Sequence, residues 1–319
     1  MGEFDLIERY FKRPALRADV GVGDDCAVWT PRLGHQLAFS ADMLVEGRHF
    51  LSTVNPHHLG HKSLAVNLSD LAACGATPQA FLLSLSLPRA DEAWLAGFSK
   101  GLLELADLHA CELIGGDTTQ GPLNIAITVM GDTPQGQSIL RSGAQVGDDL
   151  YVSGHLGDAR LALEAFRGTI SLPQAALDLA RLRMECPTPR IALGHALRGI
   201  ANAMADISDG LVGDLGHILN ASRVGAEIDT SVAAALMQTG QLWSCPEDLA
   251  MTCVLSGGDD YELVFSASPS VADQVLMASE ASATPVTRIG RITDSQRLVL
   301  LGLDGQPVTL PLQSFDHFA

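Results

Sequence analysis

Positive charge is what this 319-residue sequence lacks most. Lys12, Lys62 and Lys100 are its only lysines, and 20 basic residues stand against 37 acidic ones for a formal net charge of −17. A chain this acidic is repelled by nucleic acid and by anionic membrane surfaces, so neither is expected as a partner. An anionic ligand would have to be neutralised by arginine, backbone amides or bound metal. Long apolar runs are also missing. With 47% hydrophobic residues the chain can build a substantial core, yet no stretch reaches the roughly 18 residues of a membrane span. The opening MGEFDLIERYFKRP is charged and carries no apolar signal core, so a cytoplasmic protein is expected. Cysteine occurs as Cys26, Cys74, Cys111, Cys186, Cys245 and Cys253 with no CxxC pair, the usage of free thiols in a reducing compartment.

The familiar nucleotide signatures are absent as well. Gly60-His61-Lys62-Ser63 matches only the tail of the GxxxxGK[ST] phosphate loop and falls inside a predicted helix. The glycine-rich loop, HRD and DFG of protein kinases are missing, and GVGDD lacks the third glycine of a dinucleotide fingerprint. If the chain handles a nucleotide, it does so by another design.

What the chain does have is a carboxylate in an unusual place. NPHHLGHKSLAVNLSDLAACGATP (Asn55 to Pro78) opens with an Asn-Pro start signal and ends with a Gly and Pro stop, which predicts a helix from about Pro56 to Cys74. Ser63, Asn67 and Asp70 fall at i, i+4 and i+7 and share one face, while Leu64, Ala65, Val66, Leu68, Leu71, Ala72 and Ala73 leave little of this helix for solvent. An ionised Asp70 there needs a cation or several donors.

Around this helix the pattern alternates. A short opening helix (Phe4 to Phe11) leads through VGVGDDCAVW, a glycine-rich turn entering a strand. Strands are expected at Gln36 to Leu44 and Ala80 to Pro88, a helix at Asp91 to His109, a strand broken by glycines in ELIGGDTTQGP, and another strand in LNIAITVMG. A domain boundary is expected near Ser142 to Asp148, dividing the chain into 1–145 and 146–319. The second part reads as helices and strands in alternation from YVSG to LVLL, an α/β (α+β) chain in two parts. SAD, NLSDL and GGDTT in the first half are echoed in order by MAD, ISDGL and GGDDYEL in the second, which suggests two halves of related design.

Asp24, Asp25, Asp42, Asp70, Asp117, Asp206, Asp209, Asp214, Asp259, Asp260 and Glu262 cluster near Gly, Ser and Ala, small residues that admit a ligand close to the backbone. Mg²⁺ takes oxygen ligands, commonly one or two carboxylates with phosphate and water, so several ions spread over a polyphosphate would use this many acids. The ordinary alternative is that Asp beside Gly is a turn residue or helix cap. Asp209 can be read as the cap of DGLVGDLGHIL, and Asp148 and Asp149 as turn residues. Arg141, in LRSGA, is the best-placed cation. His49 is a candidate ligand contact in SADMLVEGRHF, whereas HHLGH reads as a solvated first turn with no acid partner.

GVGDDCA, SADMLVEGRHF, NLSDLAACGATP, LIGGDTT, LRSGA, ISDGL and SGGDDYEL, in this order over nearly the whole chain, closely resemble the thiamine-monophosphate kinase family. That family belongs to a wider group with aminoimidazole-ribonucleotide (AIR) synthetase, selenophosphate synthetase and a hydrogenase-maturation protein. The resemblance implies an AIR-synthase-like fold of two domains, in a homodimer whose N-terminal sheets join into a barrel-like core. It also implies ATP-dependent phosphorylation of thiamine monophosphate to thiamine diphosphate, with Mg²⁺ as cofactor. Carried over residue by residue, Asp25, Ser40, Ala41, Asp42, Asp70, Asp117, Asp206 and Asp209 would hold Mg²⁺. Gly116, Asp117, Arg141 and Ser208 would contact ATP, and His49, Asp259, Leu312 and Phe315 would contact the thiamine phosphate. Asp117, Asp209 and Asp70 are the candidate catalytic residues.

Three positions depart from the family's pattern. Ala41 stands where a Thr is usual, Asp259 where a Glu is usual, and the tail aromatic often found near Leu312 is missing. A sibling activity such as selenophosphate synthesis, for which Cys26 is the only candidate nucleophile, and a non-catalytic nucleotide- or metal-binding module are the alternatives. ATP consumption that depends on thiamine monophosphate separates all three.

Overall fold

The computed structural model describes residues 2–310, so the expected contacts of Leu312 and Phe315 lie outside the described residues. These divide into two compact units, one of residues 2–71 and 76–136, the other of 72–75 and 137–310.

The first unit runs α1 (Glu3–Tyr10), β1 (His35–Val45), α2 (Pro56–Ala73), β2 (Thr77–Leu87), α3 (Glu92–Leu108), β3 (Glu112–Gln120) and β4 (Asn124–Pro134). Helix α2 begins where Asn55 Oδ1 accepts from the His57 amide at 2.9 Å. It ends at Gly75, whose φ of 65° lets the Ala76 amide close on the Leu71 carbonyl at 2.7 Å. Helix α3 starts on Asp91, whose carboxylate accepts from the Ala93 and Trp94 amides.

The strands form one sheet in the order β1-β4-β2-β3, with β2 and β3 parallel and the other pairs antiparallel. Leu64, Leu68 and Leu71 of α2 and Leu95, Phe98 and Leu102 of α3 are buried, as are Phe81, Leu83 and Leu85 of β2 and Ile125, Ile127 and Val129 of β4. Each fully buried side chain of this size contributes about 1.5–3 kcal/mol. The two helices approach so closely that a Cβ on Gly60 would run into the Phe98 carbonyl, and one on Gly101 into the His57 carbonyl. Alternation along β1 and β2 leaves Leu37, Phe39, Met43 and Leu82 exposed, at 39%, 63%, 54% and 39%.

Three expectations change here. The glycines of ELIGGDTTQGP do not break the strand: β3 is continuous, its irregularity absorbed by a register shift opposite Phe81/Leu82. Residues 20–28 make only isolated bridges, Val20 to Val28 and Val22 to Asp24, in place of the expected strand. His57 does meet an acid, since its Nε2 lies 2.7 Å from Glu104 Oε2 on α3.

The second unit runs β5 (Asp149–Ser153), α4 (Asp158–Phe166), α5 (Gln174–Glu185), α6 (Ile191–Ala196), β6 (Ala203–Ile207), α7 (Leu211–Ser222) and β7 (Gly225–Asp229). It continues with α8 (Ala233–Leu236), α9 (Glu247–Ser256), β8 (Glu262–Ala267), α10 (Ala272–Ala281), β9 (Val286–Thr293), β10 (Leu298–Leu301) and β11 (Pro307–Val308). Its seven strands lie in the order β11-β10-β7-β9-β5-β8-β6, with β10 parallel to β7 and the rest antiparallel. Leu150, Val152, Ile207, Leu215, Ile218, Val264 and Ile289 belong to its core. Asp148 is a turn residue as expected, its amide on the Gln145 carbonyl, but it is buried and accepts from the Gln145 amide, Asn202 and Ser266, whereas Asp149 opens β5 and is not in the turn.

The repeated motifs do not occupy matching elements. SAD and MAD both lie on edge strands, but NLSDL is inside α2 whereas ISDGL spans the turn into α7. GGDTT runs along β3, whereas GGDDYEL is a turn entering β8.

Candidate active site

In the first unit the edge strand β1 is locked to α2 by polar side chains. The Ser40 hydroxyl donates to Asp70 Oδ2, and the Asp42 amide donates to Asn67 Oδ1 at 3.0 Å. Asn67 in turn donates through Nδ2 to the Ser63 carbonyl at 3.1 Å, and Ser63 Oγ donates to the Leu59 carbonyl at 2.7 Å. Asn67 is 1% exposed while Asp70 and Asp42 are half-buried, so a fully desolvated side-chain amide fixes the backbone that carries Asp42, and the Ser40 hydroxyl holds the Asp70 carboxylate. Ser40 and Asp42 occupy alternate positions of β1 and share a side of the sheet. Ala41 lies between them with its methyl on the other side, exposed.

His49 closes the turn after β1. Its Nδ1 accepts from the Val45 amide at 3.0 Å, which places the proton of the neutral ring on Nε2. Lys62, buried in α2, donates to the His49 carbonyl at 3.5 Å. Asp25 is exposed in the loop that the Val20 to Val28 bridge closes, its amide on Asp24 Oδ1.

Asp117 is elsewhere in the unit. It sits exposed on β3, in register with Ser84, and lines a small cleft with Ile7, Phe11, Val22, Leu83 and Gly116. Gly116, at φ 146°, has no room for a Cβ against the Leu83 backbone, so glycine is required where the strand bends. In the order β1-β4-β2-β3, Asp42 and Asp117 lie on opposite edges, three strand spacings or about 14 Å apart across the sheet. One chain's sheet does not bring them onto a common ion.

In the second unit, Asp206 is buried on the edge strand β6, and Ser208 and Asp209 are half-buried in the turn to α7. Asp209 does not cap the helix. The amides of Ser208, Asp209 and Gly210 all donate to Asp214 Oδ2, at 3.0, 3.0 and 3.1 Å. Burial, with the Asp209 charge adding to it, outweighs these three donors and pushes the Asp214 carboxyl up to about 6.

The turn from Gly257 to Tyr261 crosses the end of β6, with the Asp259 amide on the Ser208 carbonyl and the Tyr261 amide on the Ile207 carbonyl, both at 2.8 Å. Asp259 and Ser208 are thereby neighbours. Asp259 and Tyr261 adopt φ of 73° and 52°, backbone strain that the surrounding bonds must hold. Part of that hold is Glu262, fully buried and bonded to Arg190, Arg183 and Ser153. Burial pushes the Glu262 carboxyl up, but the hydrogen bonds and charge of Arg190, aided by Arg183, keep it below its usual range.

Arg141 is exposed, its carbonyl accepting from Ser222 Oγ at 3.2 Å at the far end of α7, while the neighbouring Leu140 carbonyl accepts from Met204. Its backbone therefore lies at the opposite end of β6 and α7 from Ser208.

These groups are hard oxygen donors, carboxylates and a hydroxyl, which fit Mg²⁺ and not a thiolate-preferring metal. Among the described residues no three His, Cys, Asp or Glu side chains form a ready cage. Mg²⁺ needs none, since it keeps waters and phosphate oxygens in its shell.

Residues 23–133 match the family model "AIR synthase related protein, N-terminal domain", and residues 145–302 match its C-terminal domain. The chain is 43% identical over 325 aligned residues to thiamine-monophosphate kinase of Escherichia coli strain K12, covering 100% of this chain and 98% of that one. It belongs to the thiamine-monophosphate kinase family. The crystal structure of that kinase from Stenotrophomonas maltophilia superposes with a TM-score of 0.85 at 42% identity, covering 96% of each chain. A structure of AaThiL complexed with AMPPCP and TMP does so at 0.76 and 27% identity, covering 99% of this chain and 96% of that one. The two-part α/β architecture is thus that of the AIR-synthase-like kinases.

Two residues have a part that the sequence reading did not give them: Asn67, placed only on the face of Asp70, fixes the Asp42 backbone, and Asp214, grouped with the acids for Mg²⁺, takes three backbone amides instead. Asn67 could have been found from its place between Ser63 and Asp70. Asp214 could have been found from an acid in the first turn of a helix that begins without a side-chain cap.

Proposed function

We propose that the protein transfers the γ-phosphoryl group of ATP directly to the phosphate of thiamine monophosphate, giving thiamine diphosphate, with Mg²⁺ required. The observation that carries this is the Ser40, Asp42, Asn67 and Asp70 constellation, in which the Ser40 hydroxyl holds the Asp70 carboxylate and the buried Asn67 side chain holds the backbone of Asp42. Bound Mg²⁺ would cancel the repulsion between two phosphate-bearing substrates and orient them.

Ser40, Asp42 and Asp70, with the Ala41 position, would hold metal beside β1 in the first unit, and Asp25 and Asp117 would hold other ions. Asp206 and Asp209 would do so in the second. Gly116 and Asp117, Arg141 and Ser208 would meet ATP. His49, fixed with its donor on Nε2, suits a phosphate oxygen, and Asp259, beside Ser208, would face the thiamine phosphate. A phosphate monoester is already nucleophilic near neutral pH, so no general base is needed. The acids act by position and charge.

The protein would work in the cytoplasm as a homodimer, its exposed sheet face of Leu37, Phe39, Met43 and Leu82 covered by a second copy. None of its described helices is long and apolar enough to cross a membrane.

The test is chromatographic. Purified protein given ATP, Mg²⁺ and thiamine monophosphate should form ADP and thiamine diphosphate in equal amounts, with no ADP when the thiamine phosphate is left out. Asp70→Asn and Asp117→Asn should each fold normally and lose at least about 100-fold in turnover, the scale of one transition-state charge contact. Wild-type turnover with full activity in either variant would remove the metal-bridged reading, and ADP formed without acceptor would point to a different activity.

A further inference from the structure

The turn between β6 and α7 presents three consecutive backbone N–H groups, those of Ser208, Asp209 and Gly210, at the head of a twelve-residue helix. Successive amides at a helix start are the usual cradle of a phosphate, because the donors and the helix dipole both favour an anion. In this chain the cradle is filled from inside. Asp214, one turn into α7 and 4% exposed, places a single oxygen on all three donors. Charge-assisted bonds of this kind are about twice as strong as neutral ones. Their geometry fixes the backbone on both sides of Asp209, and the Asp259 amide on the Ser208 carbonyl fixes it from a second strand end.

We propose that Asp214 is a positioning residue for phosphoryl transfer: it holds the Ser208 to Gly210 turn in the form that presents Asp209 to a divalent cation, and by filling the cradle denies those amides to nucleotide phosphate. The phosphate is thereby reached through metal and through the Ser208 hydroxyl. The inference rests on Asp209 being a metal ligand.

Its signature is the metal dependence of nucleotide binding. An emptied cradle accepts phosphate without metal, and a loosened turn holds metal less well, so both effects lower the same ratio. The dissociation constant of AMPPCP, measured by calorimetry without and with Mg²⁺, gives that ratio for wild type, Asp214→Ala, Asp214→Asn and Asp209→Asn, each checked by thermal denaturation.

Wild type should bind AMPPCP at least about tenfold more tightly with Mg²⁺ than without, equivalent to about 1.4 kcal/mol. Asp214→Ala should lower that advantage about tenfold, chiefly by tighter metal-free binding. Asp214→Asn keeps an oxygen in the cradle and the volume of the side chain, so it should fold and lower the advantage only about threefold. If Asp214→Ala does not fold, Asp214→Asn alone decides. An unchanged ratio in the Asp214 variants, with only the melting temperature reduced, overturns the inference. An unchanged ratio in Asp209→Asn removes the reading of Asp209, and the inference with it.

Discussion

Asn67 shows how much one buried side chain can organise. Its oxygen receives the Asp42 amide from β1 and its nitrogen serves the Ser63 carbonyl one turn back in α2, so strand and helix are registered through a residue that solvent does not reach. Asn67→Ala would leave the Asp42 amide and the Ser63 side of the contact without these partners. Two lost bonds at about 1 kcal/mol each, with the cost of a desolvated donor, predict a loss of roughly 2–4 kcal/mol. Urea unfolding would read it as a lower midpoint at unchanged slope, and a loss below about 0.5 kcal/mol would mean water replaces the amide. The shared face of Ser63, Asn67 and Asp70 was legible from spacing alone, because a helix fixes which residues are neighbours. What Asn67 binds was not legible, since its partner comes from a strand whose register with the helix is set by tertiary packing. Asp209 was open to two readings for the same reason: only the fold reveals that Asp214 takes the capping amides.

Elements were easier to read than their joints. The helix around Asp70 and its flanking strands followed from caps, stops and alternation, but Gly115-Gly116 looks the same in sequence whether a strand ends there or bends and continues. It continues because β2 supplies a parallel partner on one side, and Gly116 lets the two backbones touch. Glycine also sets the distance between α2 and α3, which gives a paired prediction. Gly101 and Gly216 both lie inside helices, and alanine at either should gain up to about 1 kcal/mol of helix propensity. A Cβ at Gly216 meets nothing within 4 Å, so Gly216→Ala should raise the melting temperature. At Gly101 it would collide with the His57 carbonyl, backbone that cannot swing aside, and Gly101→Ala should destabilise by about 1–3 kcal/mol net. Thermal melts of both variants check the sign of each. If both rise, the helices can separate at little cost and the close contact is not what holds them.

At the scale of the whole molecule, two facts about the first unit's sheet belong together. Its acids are divided between opposite edges, Asp42 on β1 and Asp117 on β3, and one of its faces exposes Leu37, Phe39, Met43 and Leu82. A sheet with one apolar face bare loses about 25 cal/mol for each Å² of apolar surface left in water, and a second copy laid on that face recovers it. The charge of −17 opposes bringing two copies together, so apolar contact must supply the attraction, and raised salt should strengthen the pair by screening the repulsion. Phe39, the most exposed of the four, is the place to test this. Phe39→Glu adds a charge where the second copy would sit without touching the helix-covered side, so the chain should still fold, melting below wild type because association no longer stabilises it. Sedimentation velocity should show wild type at twice the chain mass and the variant at one. A variant that still sediments as a dimer would mean the copies meet through another surface. A monomeric wild type would mean that the bare face serves something other than self-association.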